Sequence, residues 1–232
     1  MAAHAALEKG EMVAANGLDI YTERVGRGPD VLLIGGLGDT VESWQCQLYG
    51  LADSYQVTAF DNRGAGRTLA PEQPFSVEAM ADDAAGVLRI LGIRSAHVAG
   101  FSGGSLIAQE MAVRHPHLVR SLVLQSTWAK PDPYLCSWGR FVHWLIEAAP
   151  TEQTFLHHDT SSRLPDITAP TLVLAGGRDP SSRPELGKQV ADLIPGALFE
   201  VMAEEAHQPF QEVPEQWNAR VAEFWREVDA SR

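Results

Sequence analysis

The stretch "AHVAGFSGGSLIAQEMAVRH", residues 96–115, decides the fold. Ala96 to Ala99 reads as a short apolar strand, Leu106 to His115 as a helix, and "GFSGGS" at 100–105 joins them. Glycine alone says little, since turns of every kind recruit it for its tolerance of positive φ. The context says more. A strand running in and a helix running out make Gly100, Ser102 and Gly104 a G-x-S-x-G turn. Such a turn lifts its central side chain clear of a crowded backbone and leaves no room for side chains two residues to either side.

Outward from this turn, short apolar runs alternate with helical patterns, the signature of a mainly parallel sheet with helices on both faces. Strands are expected at "LDIYTERVG" (18–26), "VLLIGG" (31–36), Gln56 to Phe60, Ser121 to Gln125, "PTLVLAGGRD" (170–179) and Ala197 to Met202. The first two of these, joined by "GRGPD", suggest a hairpin-like opening. Helices are expected near Glu42 to Leu51, Ser76 to Leu91, Pro184 to Leu193 and Pro214 to Val228, with Ser76 as an N-cap and Gly92 as a C-terminal stop. The rhythm breaks only after the strand at 121. The expected architecture is α/β: an eight-stranded core formed by residues 1–127 and 166–232, with a cap or lid insertion at 128–165 after the sixth strand. In that insert Trp138, Phe141, Val142 and Leu145 share a helical face, with Trp144 alongside. The insert is short, which suggests either a minimal lid over an open site or a cap lacking a segment near Ala149 to His157.

Composition narrows the function classes. With 18 Lys and Arg against 30 Asp and Glu, the net charge of -12 opposes binding to phosphate backbones and anionic lipid. Neither nucleic acid nor membrane is therefore an expected partner, which leaves a small-molecule substrate, with homodimerisation open. Cys46 and Cys136 are too few for a disulfide framework and lack metal-type spacing. The N-terminal "MAAHAALEKGEMV" lacks the apolar core of a signal peptide, and no run approaches the roughly 18 apolar residues of a membrane span, so a cytoplasmic location is expected.

A serine hydroxyl is a poor nucleophile until a base oriented by an acid takes its proton. Asp179 ends "TLVLAGGRD", at the C-terminal edge of a late strand, where open α/β sheets build their sites. His207, in "EEAHQPF", follows the next strand. The order Ser102, Asp179, His207 is the one this architecture uses.

Together these motifs make the chain resemble the α/β-hydrolase fold family over essentially its whole length. "LLIGGLGDTVESW" resembles the family's oxyanion loop, "DNRGAGRT" its D-x-R-G-x-G-x-S loop, "GFSGGS" its nucleophile elbow, "LAGGRDP" its acid loop and "AHQPFQEVP" its histidine loop. The resemblance implies a serine hydrolase of a small, apolar or aromatic ester, lactone or thioester, without a cofactor or metal. It assigns the oxyanion hole to the backbone N–H groups of Leu37 and Gly103. It also makes Phe101, Trp128, Trp138, Phe141 and Trp144 the substrate pocket, and Asp132, just after the strand at 121, a rival to Asp179. Two positions depart from the pattern: Gly35 stands where a His is usual, and Gly103 where a larger residue is.

Other readings stay open. A cofactor-free perhydrolase or haloperoxidase and a C–C bond hydrolase use the same three residues, and some receptors share the fold. "HHD" at 157–159 could suggest a metal cluster, but adjacent residues point in different directions and no further ligands stand at useful spacing, so a solvated stretch is expected. Arg63 and Asp61 are expected to brace a loop.

Overall fold

The computed structural model describes residues 10–69, 74–146 and 151–231, with the backbone alone over 141–146 and 151–153. Its centre is an eight-stranded sheet. In chain order the strands are β1 (Glu11–Ala15), β2 (Leu18–Gly26), β3 (Asp30–Ile34), β4 (Gln56–Phe60), β5 (Ala96–Phe101), β6 (Val119–Gln125), β7 (Thr171–Gly176) and β8 (Leu198–Met202). They lie in the order β1-β2-β4-β3-β5-β6-β7-β8. The first two pairings, β1 with β2 and β2 with β4, are antiparallel, and all the others are parallel.

The helices are α1 (Gln45–Gly50), α2 (Val77–Ile90), α3 (Gly103–Arg114), α4 (Pro133–Ile146), α5 (Thr151–Leu156), α6 (Pro184–Leu193), α7 (Pro209–Glu212) and α8 (Pro214–Ala230). One core joins buried residues of α2, α3 and α6 to one sheet face, and the other joins α1 and α8 to the opposite face. Strands β5 and β7, covered on both sides, are buried along their whole length, which is why they read as unbroken apolar runs. Ser76 caps α2 by accepting the Ala79 amide at 3.3 Å.

The opening hairpin differs from expectation. It joins β1 to β2 through Asn16 and Gly17, both at positive φ, whereas β2 and β3 do not pair. Instead, the link after β2 carries the chain past β4, which takes the place between them. Gly26 and Gly28 permit this crossing. Both are at positive φ, and a Cβ on either would lie 2.3 Å from the carbonyl oxygen of Tyr55 or Ser54 respectively.

Between β6 and β7 stand α4 and α5, the insertion expected after the sixth strand. Its exit is fastened to α3. Glu110 of α3, fully buried, pairs with Arg163 and lies 3.1 Å from His158, while Thr160 donates to Gln109 at 2.5 Å. This corrects the reading of "HHD" as wholly solvated: His157 and Asp159 are exposed, but His158 is buried because it faces Glu110 and Glu78. The stretch from Ala149 to His157, where the alternative to a minimal lid puts a missing cap segment, falls partly outside the described residues.

Candidate active site

The site grows from the end of β5. Ser102 has φ 51° and ψ -121°, a backbone geometry that costs a non-glycine residue energy and persists only where the surroundings impose it. The surroundings here are the tight approach of α3 to two strands. A Cβ at Gly100 would lie 2.3 Å from the Gly104 carbonyl oxygen, and one at Gly104 would lie 2.2 Å from that of Ile34. The glycines of the turn are thus required by backbone contact. Gly104→Ala should push α3 off the end of β3 and lower stability by about 1–3 kcal/mol or more, read from the urea midpoint. An unchanged midpoint would show that the turn has slack.

Ser102 Oγ is 3.2 Å from His207 Nε2, and His207 Nδ1 is 2.7 Å from Asp179 Oδ2. Three residues from three separate loops therefore form one hydrogen-bonded chain. Asp179 is buried, and its other oxygen accepts the amides of Ser181 and Ser182 at 2.8 and 3.0 Å and the Ser181 hydroxyl at 2.9 Å. Burial alone would raise its carboxyl. The bond and charge of His207 and the Ser181 donors outweigh burial and hold it below the ordinary value, so it stays ionised. The histidine loop reaches this position because β7 ends in glycine: a Cβ at Gly176 would sit 1.7 Å from the Ala206 carbonyl oxygen. Phe101 packs edge-on against the imidazole, with centroids 4.9 Å apart.

Asp132 stands elsewhere. Its Oδ1 accepts the Leu135 amide at 2.7 Å and its Oδ2 accepts Arg183 at 2.5 Å, so it caps α4 and ties that helix to the loop before α6. Arg63 and Asp61 brace loops as expected. Arg63 makes a bidentate, buried pair with Asp83 at 2.5 and 2.7 Å. Asp61 accepts the amides of Val41 and Arg67, each at 2.8 Å.

A cavity of about 200 Å³ opens over Ser102, with Leu37, Phe101, Gly103, Trp128, Trp138 and His207 in its wall. That is below the roughly 300–1,000 Å³ of sites for drug-sized ligands, so the space suits a small molecule. The side chains of Phe141 and Trp144 lie outside the described residues. Sequence reasoning missed Asp39, Leu135, Phe155, Leu156, Ser181, Ser182 and Gln208, which also line the cavity.

Phe155 accounts for the odd glycine at 103. A Cβ there would come within 2.8 Å of the Phe155 ring, so the insert settles onto the start of α3 through space that a larger residue would fill. Asp39 likewise accounts for Gly35, where a Cβ would lie 2.8 Å from Asp39 Cβ. Asp39 accepts the Gly36 amide at 2.8 Å and the Ser43 hydroxyl at 2.9 Å, and so braces this loop from within.

A sheet of this topology with a Ser-His-Asp chain at the carboxyl ends of its strands defines an α/β hydrolase. The comparisons agree. Residues 29–139 match the family model for the alpha/beta hydrolase fold. The chain is 30% identical to the putative carbamate hydrolase RutD of Azorhizobium caulinodans, over 91% of this chain and 96% of that protein. It is 29% identical to the putative non-heme bromoperoxidase BpoC of Mycobacterium tuberculosis, over 88% and 97% respectively. A thermophilic esterase from Thermogutta terrifontis superimposes with a TM-score of 0.81 at 27% identity, over 97% of this chain and 99% of that one. The chain belongs to the α/β-hydrolase fold family, and it is a hydrolase. The RutD alignment runs over 255 positions, more than the 232 residues of this chain, so that relative carries segments this chain lacks. Among the described residues no helix is long and apolar enough to cross a membrane.

Proposed function

We propose that the protein is a serine hydrolase that cleaves a small ester, lactone or thioester through an acyl-enzyme. The observation that carries this reading is the continuous chain from Ser102 Oγ through His207 to Asp179, opening into a mainly apolar cavity. His207 Nε2 takes the Ser102 proton as Oγ attacks the carbonyl carbon, and Asp179 holds the imidazole with its proton on Nδ1. Negative charge develops on the carbonyl oxygen, and the Leu37 and Gly103 amides are its donors.

Two features support those donors. Gly103 is the first residue of α3, so its amide lies outside the helix's own hydrogen-bond ladder, at the positive end of the dipole. The Gly36 amide is engaged by Asp39, which fixes the turn that presents Leu37. His207 then passes the proton to the departing oxygen or sulfur. A water, deprotonated by the same nitrogen, attacks the acyl carbon, and the products are the free acid and regenerated Ser102.

A fluorophosphonate probe tests the reading. The expected result is a single covalent adduct on Ser102 that forms in step with loss of p-nitrophenyl butyrate hydrolysis. Intact protein without an adduct on Ser102 would overturn it. The similarity to a putative bromoperoxidase favours one second reading, in which peroxide replaces water as acceptor and releases a peracid. Peroxide-dependent bromination that needs Ser102 and an added carboxylic acid would establish it.

A further inference from the structure

The cavity wall carries an imbalance of charge. Its ionisable members are His207 and Asp39, and among the described residues no Lys or Arg lines it. Two cations directly follow wall residues in the chain. Arg183, after Ser182, is engaged elsewhere, by Asp132 at 2.5 Å and by the Tyr134 ring 4.8 Å from its guanidinium carbon. Arg140, after Gly139, is exposed and is not part of the wall. Asp39 stands close to the reacting serine. Its Oδ2 and Ser102 Cβ lie 3.2 and 3.1 Å from the same point, the position a Cβ on Gly36 would take.

We propose that this site takes acyl groups without a negative charge, and that Asp39 is the specificity-determining residue that rejects anionic ones. The proposal rests on the acyl-transfer reading above. An anionic acyl chain entering the cavity would leave water for a mainly apolar wall whose described residues include no Lys or Arg, a step that is costly without a partner. It would also meet the Asp39 carboxylate. Burial holds this carboxyl above its ordinary value, and the Gly36 amide, the Ser43 hydroxyl and the charge of His207 oppose that rise without cancelling it. Two like charges several ångströms apart in such surroundings repel enough to slow reaction on the order of tenfold or more.

The bracing role of Asp39 explains why a charge is tolerated here at all. Its oxygens are held by the loop they support. Asn in its place retains one acceptor oxygen and nearly the same shape but no charge. Charge and brace can therefore be separated.

The test compares kcat/KM for p-nitrophenyl butyrate and for the singly charged mono-p-nitrophenyl succinate, corrected for spontaneous hydrolysis, in the parent and in Asp39→Asn. The parent should prefer butyrate by on the order of tenfold or more. Asp39→Asn should narrow that preference at least severalfold, whatever happens to its absolute rate. Asp39→Ser, which removes the charge with less bulk, serves if the Asn variant does not fold. The other charges of this net -12 chain act equally on parent and variant, so the change in ratio isolates residue 39. Equal rates on the two esters in the parent, or the same preference in parent and variants, would overturn the proposal. If Ser102 takes no probe and neither ester is hydrolysed, the acyl-transfer reading itself has failed, an outcome distinct from hydrolysis of both esters without preference.

Discussion

Ser102→Ala should lower kcat/KM for p-nitrophenyl butyrate by about 10⁴–10⁶-fold, the range seen when a triad nucleophile is lost. Stability should barely move. The hydroxyl has its hydrogen-bond contact with His207, and the strained φ is imposed by the glycines and by the approach of α3 rather than by Oγ. The urea midpoint should correspond to a change within about 0.5 kcal/mol. A variant that kept more than a few per cent of the parent rate would place the reacting group elsewhere. Alanine at 102 leaves the cavity and the Leu37 and Gly103 amides in place, so residual rates above water are expected.

Asp179→Asn should lower kcat by about 10⁴-fold, because an amide can offer its N–H to Nδ1 and so stabilise the tautomer with the proton on Nε2, which cannot accept from Ser102. The Ser181 hydroxyl, 3.0 Å from Nδ1, cannot restore the charge. Asp132→Asn should stay within about tenfold of the parent, since its partners are the Leu135 amide and Arg183. Equal losses in the two variants would show that both acids serve His207.

The same substitution carries a pH signature. The Asp179 carboxyl is held below its ordinary value in the folded protein, so the stability it contributes is present in full above the unfolded value of about 3.9. It is lost as pH falls from there through the lower folded value. The urea midpoint of the parent should therefore exceed that of Asp179→Asn by a constant margin above about pH 5, and the margin should shrink below about pH 4. A constant margin down to pH 3 would contradict the depressed carboxyl.

Much of this was legible in local patterns. The apolar runs of β3, β5 and β7 advertise burial on both faces, because a strand in the middle of a parallel sheet has no wet side. The opening was harder. The helix α3 starts at Gly103 rather than Leu106, since its glycines weaken the helical pattern while their lack of side chains admits the backbone contacts that form the turn. The hairpin at Asn16-Gly17 carried its signal in the sequence, as that dipeptide favours the tight turn with positive φ at both positions. That β2 lies against β4 had no such local mark. It depends on Gly26 and Gly28 meeting carbonyl groups more than two dozen residues away.

By itself the sequence determined the class of fold and the three residues of the Ser-His-Asp chain. Turn chemistry, strand ends and chain order are local, and Ser102, Asp179 and His207 each sit in a loop whose type is written in its neighbours. Only the tertiary structure decided what surrounds them. Asp39 and Ser102 crowding the same side of Gly36, Phe155 over Gly103 and Asp132 turned away toward Arg183 are arrangements of segments far apart in the chain or of unremarkable sequence. Such arrangements depend on how helices and loops pack across the sheet edge, where the identity of one residue sets the space left for another and no periodic pattern records the pairing.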